Sequence, residues 1–211
     1  MWSVIGIIIH IKHLVVNRRR FAMQKKLNVH KLAFVGVMAA MIFVATYFLR
    51  IEIMTPVGPT NLKTANILCL LAGMLFGGVY GGLAAGIGSM IFDLMDPKYA
   101  SGALVTLIFF FLMAYICGVI SNSGKADGTD LKKNIIGAVC GALTYYVLYI
   151  GKSILTLVIA GSAFIPAVAA CSVKMVTSGI NMITAVVFSV LLAKPLVLAL
   201  KRAKILDKIK N

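Results

Sequence analysis

Acid is what this sequence has least of. Six Asp and Glu stand against 21 Lys and Arg in 211 residues, and charged residues make up only 13% of the chain. Soluble domains carry about 25%. No two carboxylates are paired inside an apolar run, so acid/base chemistry of the two-carboxylate kind has nothing to work with. Histidine is nearly as scarce. His10 and His13 fall in an N-terminal stretch and His30 at the mouth of the first long apolar run, so no nucleophile–base or metal constellation forms in the spans. The four cysteines, at 69, 117, 140 and 171, are scattered through apolar sequence with no CxxC pair. They read as small buried hydrophobes rather than metal ligands or a redox pair. Period-two alternation is missing, which excludes a transmembrane β-barrel. Long soluble segments are missing too, so the formal charge of +15 does not indicate a nucleic-acid-binding fold.

What is there is apolar: 61% of the residues are hydrophobic, gathered into long runs. The expectation is an all-α integral membrane protein of six spans, at about 31–49, 62–76, 79–94, 102–120, 134–160 and 166–193. The last two exceed what ~30 Å of hydrocarbon requires, so they tilt or project. Pro195 is expected to separate the last span from a basic amphipathic tail. The basic residues then act as topology signals. Lys25, Lys26, Lys31, Lys125, Lys132, Lys133, Lys194, Lys201, Arg202, Lys204, Lys208 and Lys210 fall on one side, and only Arg50, Lys63 and Lys98 on the other. By the positive-inside rule both termini are cytoplasmic. Residues 1–22 stand apart: an apolar stretch too short to span, followed by Arg18-Arg19-Arg20. Met23 reads as the natural start of a single membrane domain, 23–211; the competing reading is a short interfacial helix.

Small residues mark close contacts. Gly73, Gly77 and Gly81, and again Gly78, Gly82 and Gly86, recur every four residues and predict tightly approaching helix faces. Gly36 and Ala40 make a similar face on the first span. The Arg50–Lys63 segment, with Pro56, Gly58 and Pro59, is expected to be a stiff loop, either a connector or a cap over a pocket, and Asn61 is its candidate ligand group. Asp93 shares a helix face with Ser89 and is a candidate contact; the plainer reading is an acid facing water at a helix end.

Two polar stripes point to a site. Tyr145, Tyr149, Lys152 and Thr156 repeat at helical spacing, as do Lys174, Ser178 and Asn181. A short loop at 161–165 makes the two helices antiparallel. Each lysine lies about nine residues from that loop, so both sit ~13 Å below one membrane surface. That exceeds a lysine's snorkelling reach of about 6 Å. An ionisable group held at such depth is a functional-site hypothesis by default. The competing readings are packing for the tyrosines and an interhelical hydrogen bond for Asn181. Charged lysines favour an anionic solute; the tyrosines suit stacking on an aromatic one. Gly151-Lys152-Ser153 mimics the end of a phosphate-binding loop, but Tyr146 stands where that motif needs glycine, so the chain is not itself a nucleotide-driven motor.

From about Lys26 onward the sequence resembles the substrate-binding S components of energy-coupling factor (ECF) transporters, most closely the riboflavin-transporter type. The resemblance is carried by Lys-Leu-Ala-Phe-Val-Gly-Val-Met-Ala-Ala in the first span, Thr-Pro-Val-Gly-Pro-Thr-Asn-Leu-Lys in the loop, Leu-Ala-Gly-Met-Leu-Phe-Gly-Gly and Asp93-Leu-Met-Asp-Pro further on, and the six-span plan. It implies a bundle that binds a water-soluble vitamin from outside and joins a transmembrane T component and two ATPase subunits, with no cofactor of its own. It implies that the first loop lids the pocket and that Tyr146, Tyr149, Lys152, Lys174 and Asn181 line it. It also implies that Gly36 and Ala40, in place of the family's Ala-x-x-x-Ala, meet the T component. A self-sufficient channel or facilitator is the alternative.

Overall fold

The long apolar runs form helices, and a computed structural model describes residues 29–55, 57–125 and 128–203 of the chain. The expected N-terminal extension, Met23, Lys25, Lys26, Pro56 and the tail lysines 204, 208 and 210 lie outside the described residues. Among the described residues there are seven α-helices: α1 (Val29–Phe48), α2 (Ala65–Phe76), α3 (Gly78–Met95), α4 (Ala103–Ser121), α5 (Leu131–Ile159), α6 (Phe164–Ala170) and α7 (Ser172–Arg202). Two strands, β1 (Arg50–Ile53) and β2 (Thr60–Lys63), interrupt the helical pattern.

Five of these helices are long and apolar enough to cross a membrane. The second expected span is the exception. It begins three residues late, because Thr60–Lys63 is strand, and α2 is left with twelve residues. At 1.5 Å per residue it is about 18 Å long, short of the ~30 Å hydrocarbon thickness. Its position explains how so short a helix is accommodated. α2 packs against α1, α3, α4, α5 and α7 and forms the middle of the bundle. Cys69, Leu70, Leu71, Ala72 and Met74 are all at most 1% exposed. Such a helix meets protein on every side and need not match the lipid.

Close approach around α2 is what the glycine repeats provide. Gly77, at φ +80°, turns the chain between α2 and α3 and its N–H caps Gly73 O at 2.9 Å. A Cβ at Gly81 would lie 2.5 Å from Ala72 O, and one at Gly86 would lie 2.8 Å from Leu107 O. Backbone therefore meets backbone across α2–α3 and α3–α4, as expected of small-residue faces in membrane bundles. Outside, Val37, Met41, Val44, Leu104, Ile136 and Leu191 are among many exposed large hydrophobics, the composition of a lipid-facing surface.

Two boundaries differ from expectation at the C-terminal end. The predicted sixth span divides at Cys171 (φ −82°, ψ −1°) into the short α6 and the long α7. α7 then runs through Pro195 to Arg202 rather than stopping before the proline. Proline removes one backbone donor from a helix. Thirty other residues share this helix, and Ala193 and Val197 beside the proline are fully buried in the bundle. Tertiary packing outweighs the local penalty.

Candidate solute-binding site

The Arg50–Lys63 segment is not an irregular loop. It folds into an antiparallel hairpin with Arg50 opposite Lys63 and Ile53 opposite Thr60. Alternation along β2 places Asn61 and Lys63 on one face. Beneath the hairpin lies a cavity of about 330 Å³, at the low end of the ~300–1,000 Å³ typical of ligand pockets. The hairpin roofs it, α5 and α7 form one wall, and α3, α4 and the turn between them form the other.

The hairpin is tied down on every side. Lys174, 7% exposed, donates from Nζ to Val57 O at 2.8 Å at the hairpin tip. Tyr149 Oη donates to Thr60 Oγ1 at 3.2 Å, and Asn61 Nδ2 donates to Tyr99 Oη at 3.0 Å. At the base, Arg50 bridges to Asp96 at 3.1 Å and lies over the Phe92 ring at 4.5 Å; Lys98 bridges to Glu52 at 2.8 Å.

Asn181 makes the most specific tie. Its Oδ1 accepts from Lys63 N–H at 3.0 Å and its Nδ2 donates to Asn61 O at 2.7 Å. These two backbone groups lie on the edge of β2 that faces away from β1. The side-chain amide thus takes the place of a neighbouring strand. Asn181 was expected either in the pocket or in a helix–helix hydrogen bond; it lines the pocket and pins the hairpin to α7.

An aromatic row forms the pocket wall. Phe110 and Tyr145 have ring centroids 4.6 Å apart, and Tyr145 and Tyr149 are stacked at 5.8 Å with planes 8° apart. An ammonium stands at each end of the row: Lys63 Nζ is 4.5 Å from the Phe110 centroid, and Lys174 Nζ is 5.8 Å from that of Tyr149. Cation–π contacts of this kind contribute about 0.5–2 kcal/mol each. Asp93, 7% exposed, faces Lys63, Lys152 and Thr106. Lys152 is exposed along its length, but its Nζ reaches over Gly102, where an added Cβ would meet it at 3.3 Å.

The two stripes read from the sequence therefore converge: Tyr145, Tyr149, Lys152 and Thr156 from α5 and Lys174, Ser178 and Asn181 from α7 line one cavity, joined by Asn61 and Asp93. Tyr146, a candidate by family analogy, is not among the lining residues; Tyr145, one position earlier, holds the place in the row. The helical stripe had included Tyr145, and a shift of one residue turns a side chain by about 100°. Lys63 was missed. Counted as a topology charge in a loop, it is a pocket residue, and burial pushes its pKa below the ordinary 10.5 while Asp93 pulls it back up. The signal was available in Asn61 and Lys63, two residues apart, once a strand is allowed there. Asn61 Oδ1 is buried with no hydrogen-bond partner. On α1, Gly36 and Ala40 are both exposed, and Gly36 has no heavy atom within 4 Å of where a Cβ would stand.

Comparisons with known proteins agree with this architecture. The family profile for the ECF-type riboflavin transporter S component matches residues 26–202. An uncharacterized protein of Pyrococcus woesei is 34% identical over 110 residues, 50% of this chain and 72% of that protein. Among solved structures, one described as "Structure and mechanism of the S component of a bacterial ECF transporter" superposes with a TM-score of 0.56 at 18% identity, covering 81% of this chain and 97% of that one. At that identity the likeness speaks for the fold.

Proposed function

Because this chain belongs to the ECF-type riboflavin transporter S component family, a family of transporter subunits rather than enzymes, we propose that its cavity captures a water-soluble vitamin or related small solute from outside the cell. A T component and two ATPase subunits then drive uptake. The carrying observation is the hairpin-roofed cavity itself: about 330 Å³ within a membrane bundle, lined in part by the row of Phe110, Tyr145 and Tyr149 and holding more lysines than its one carboxylate balances. Lipid-exposed helices cannot hold such charges cheaply, so they are kept where a polar solute meets them.

Orientation follows from charge. The sparse side, with Arg50, Lys63 and Lys98, is the hairpin side, so the pocket opens outward and both termini face the cytoplasm of what the resemblance makes a bacterial plasma membrane. The exposed Gly36–Ala40 face of α1 is the sliding contact for the T component, against which the small bundle topples to turn its pocket inward. The family description names riboflavin, and the aromatic row offers a surface for a flavin ring, so riboflavin and its 5′-phosphate are the first solutes to try.

Mass spectrometry of the small molecule that co-purifies with the protein tests capture directly; a vitamin-class solute is expected. Solute flux through the purified chain alone in liposomes would overturn the partner-driven reading in favour of a self-sufficient facilitator.

A further inference from the structure

We infer that the solute is an anion, held through a carboxylate or phosphate group, and that Lys63 is one of the residues that hold it. This rests on the solute-capture reading and adds the charge class of what is captured.

Charge balance in the cavity carries the inference. Four lysines line it, at 63, 98, 152 and 174, against a single carboxylate, Asp93. Lys98 is already bridged to Glu52 at 2.8 Å. Three ammonium groups then share one acid, a surplus of two positive charges. Asp93 lies toward Lys63 and Lys152. Lys174, 7% exposed, has only the Val57 carbonyl at 2.8 Å and the Tyr149 ring at 5.8 Å, a dipole and a quadrupole but no counter-charge. A buried cation without a counter-charge is among the costliest things a fold can hold. Structural needs do not explain the surplus: pinning the hairpin tip requires a donor, which a neutral side chain supplies, and Asp93, which Lys63 and Lys152 share, is balanced by one of them. An entering anion supplies the missing charge and converts a penalty into affinity. The ligand class is thus a carboxylic or phosphoric acid.

The test uses matched pairs that differ in charge. Isothermal titration of the purified full chain compares pantothenate with pantothenol, and riboflavin 5′-phosphate with riboflavin. The carboxylate and phosphate arms also distinguish which acid the site accepts. In at least one pair the anionic member binds at least about tenfold tighter, and the preference shrinks to about threefold or less in Lys63→Met and in Lys152→Met. Lys63→Arg retains it. Lys152 is exposed, so its variant folds even where Lys63→Met does not. If neutral members bind as tightly as their acids, or if a neutral solute co-purifies, the anion inference is overturned while capture stands. If no solute co-purifies and none of the four probes binds, the inference fails; flux through the chain alone would separately remove the capture reading.

Discussion

Asn181→Leu isolates the clasp between hairpin and bundle. Leucine keeps the volume of the side chain and removes both of its hydrogen-bonding groups. The Lys63 N–H and the Asn61 carbonyl, now bonded at 3.0 and 2.7 Å, lose their partners. An unsatisfied buried polar group costs about 1–3 kcal/mol. Both groups border the cavity, where water partly replaces the amide, so the low end applies and the hairpin is loosened by about 2 kcal/mol. That is about a 30-fold change in the ratio of docked to undocked hairpin, at 1.4 kcal/mol per factor of ten. Hydrogen–deuterium exchange read by mass spectrometry on the peptide covering residues 60–63 measures it. Exchange there should accelerate about 30-fold, while the buried α2 peptide stays protected. Asn181→Asp keeps an acceptor for the Lys63 amide and gives up only the donor, so about half the free-energy effect remains. Unchanged protection at 60–63 in the leucine variant refutes the view that this amide holds the strand.

Further perturbations probe the rest of the argument. Gly81→Ala puts a Cβ 2.5 Å from Ala72 O, a backbone atom that cannot swing away, so thermal unfolding in detergent should show a loss of about 1–3 kcal/mol; Gly36→Ala, with open space around it, should show none. Ala40→Trp should abolish uptake by the assembled transporter and leave solute affinity of the isolated chain intact; loss of both together counts against a partner contact at Ala40. Burial lowers the Lys63 pKa from 10.5, so the unfolded chain holds the proton more tightly in the window between the lowered value and 10.5. Stability should therefore rise with pH through that window as the desolvation cost is relieved, and affinity for an anionic probe should fall through it. Both trends shrink in Lys63→Met, and the Tyr99 hydroxyl, pushed up to about 12 by burial, works against the stability trend only above about pH 10, where the unfolded tyrosine gives up its proton first.

Most of the bundle was readable because membrane helices are announced by composition. Hydrocarbon forbids unsatisfied backbone, so a long apolar run has one solution and its ends are marked by charge. The two polar stripes were readable for a related reason. Residues at helical spacing must share a face, and lysines that deep need an explanation. The hairpin was not readable as a hairpin. Its strands are four residues each, too short for a periodic signal, and their pairing rests on contacts with Asn181, Tyr149 and Tyr99 far away in sequence. Misreading the hairpin hid Lys63, whose place in the pocket follows from being two residues from Asn61 on a strand. The choice between Tyr145 and Tyr146 turned on analogy, and the rotation of α5 against Phe110 resolves it.

Composition and periodicity are local properties, and they suffice for helices apolar enough to cross a membrane, for the stacking faces of glycine, and for the shared helix faces of the two polar stripes. Which lysines share a cavity, which amide stands in for a strand, and why twelve residues are enough for the central helix depend on where distant segments meet. The physical reason is range. A helix satisfies its backbone within itself and so declares itself in sequence, whereas a hairpin edge or a desolvated ammonium is satisfied only by groups that folding brings from elsewhere.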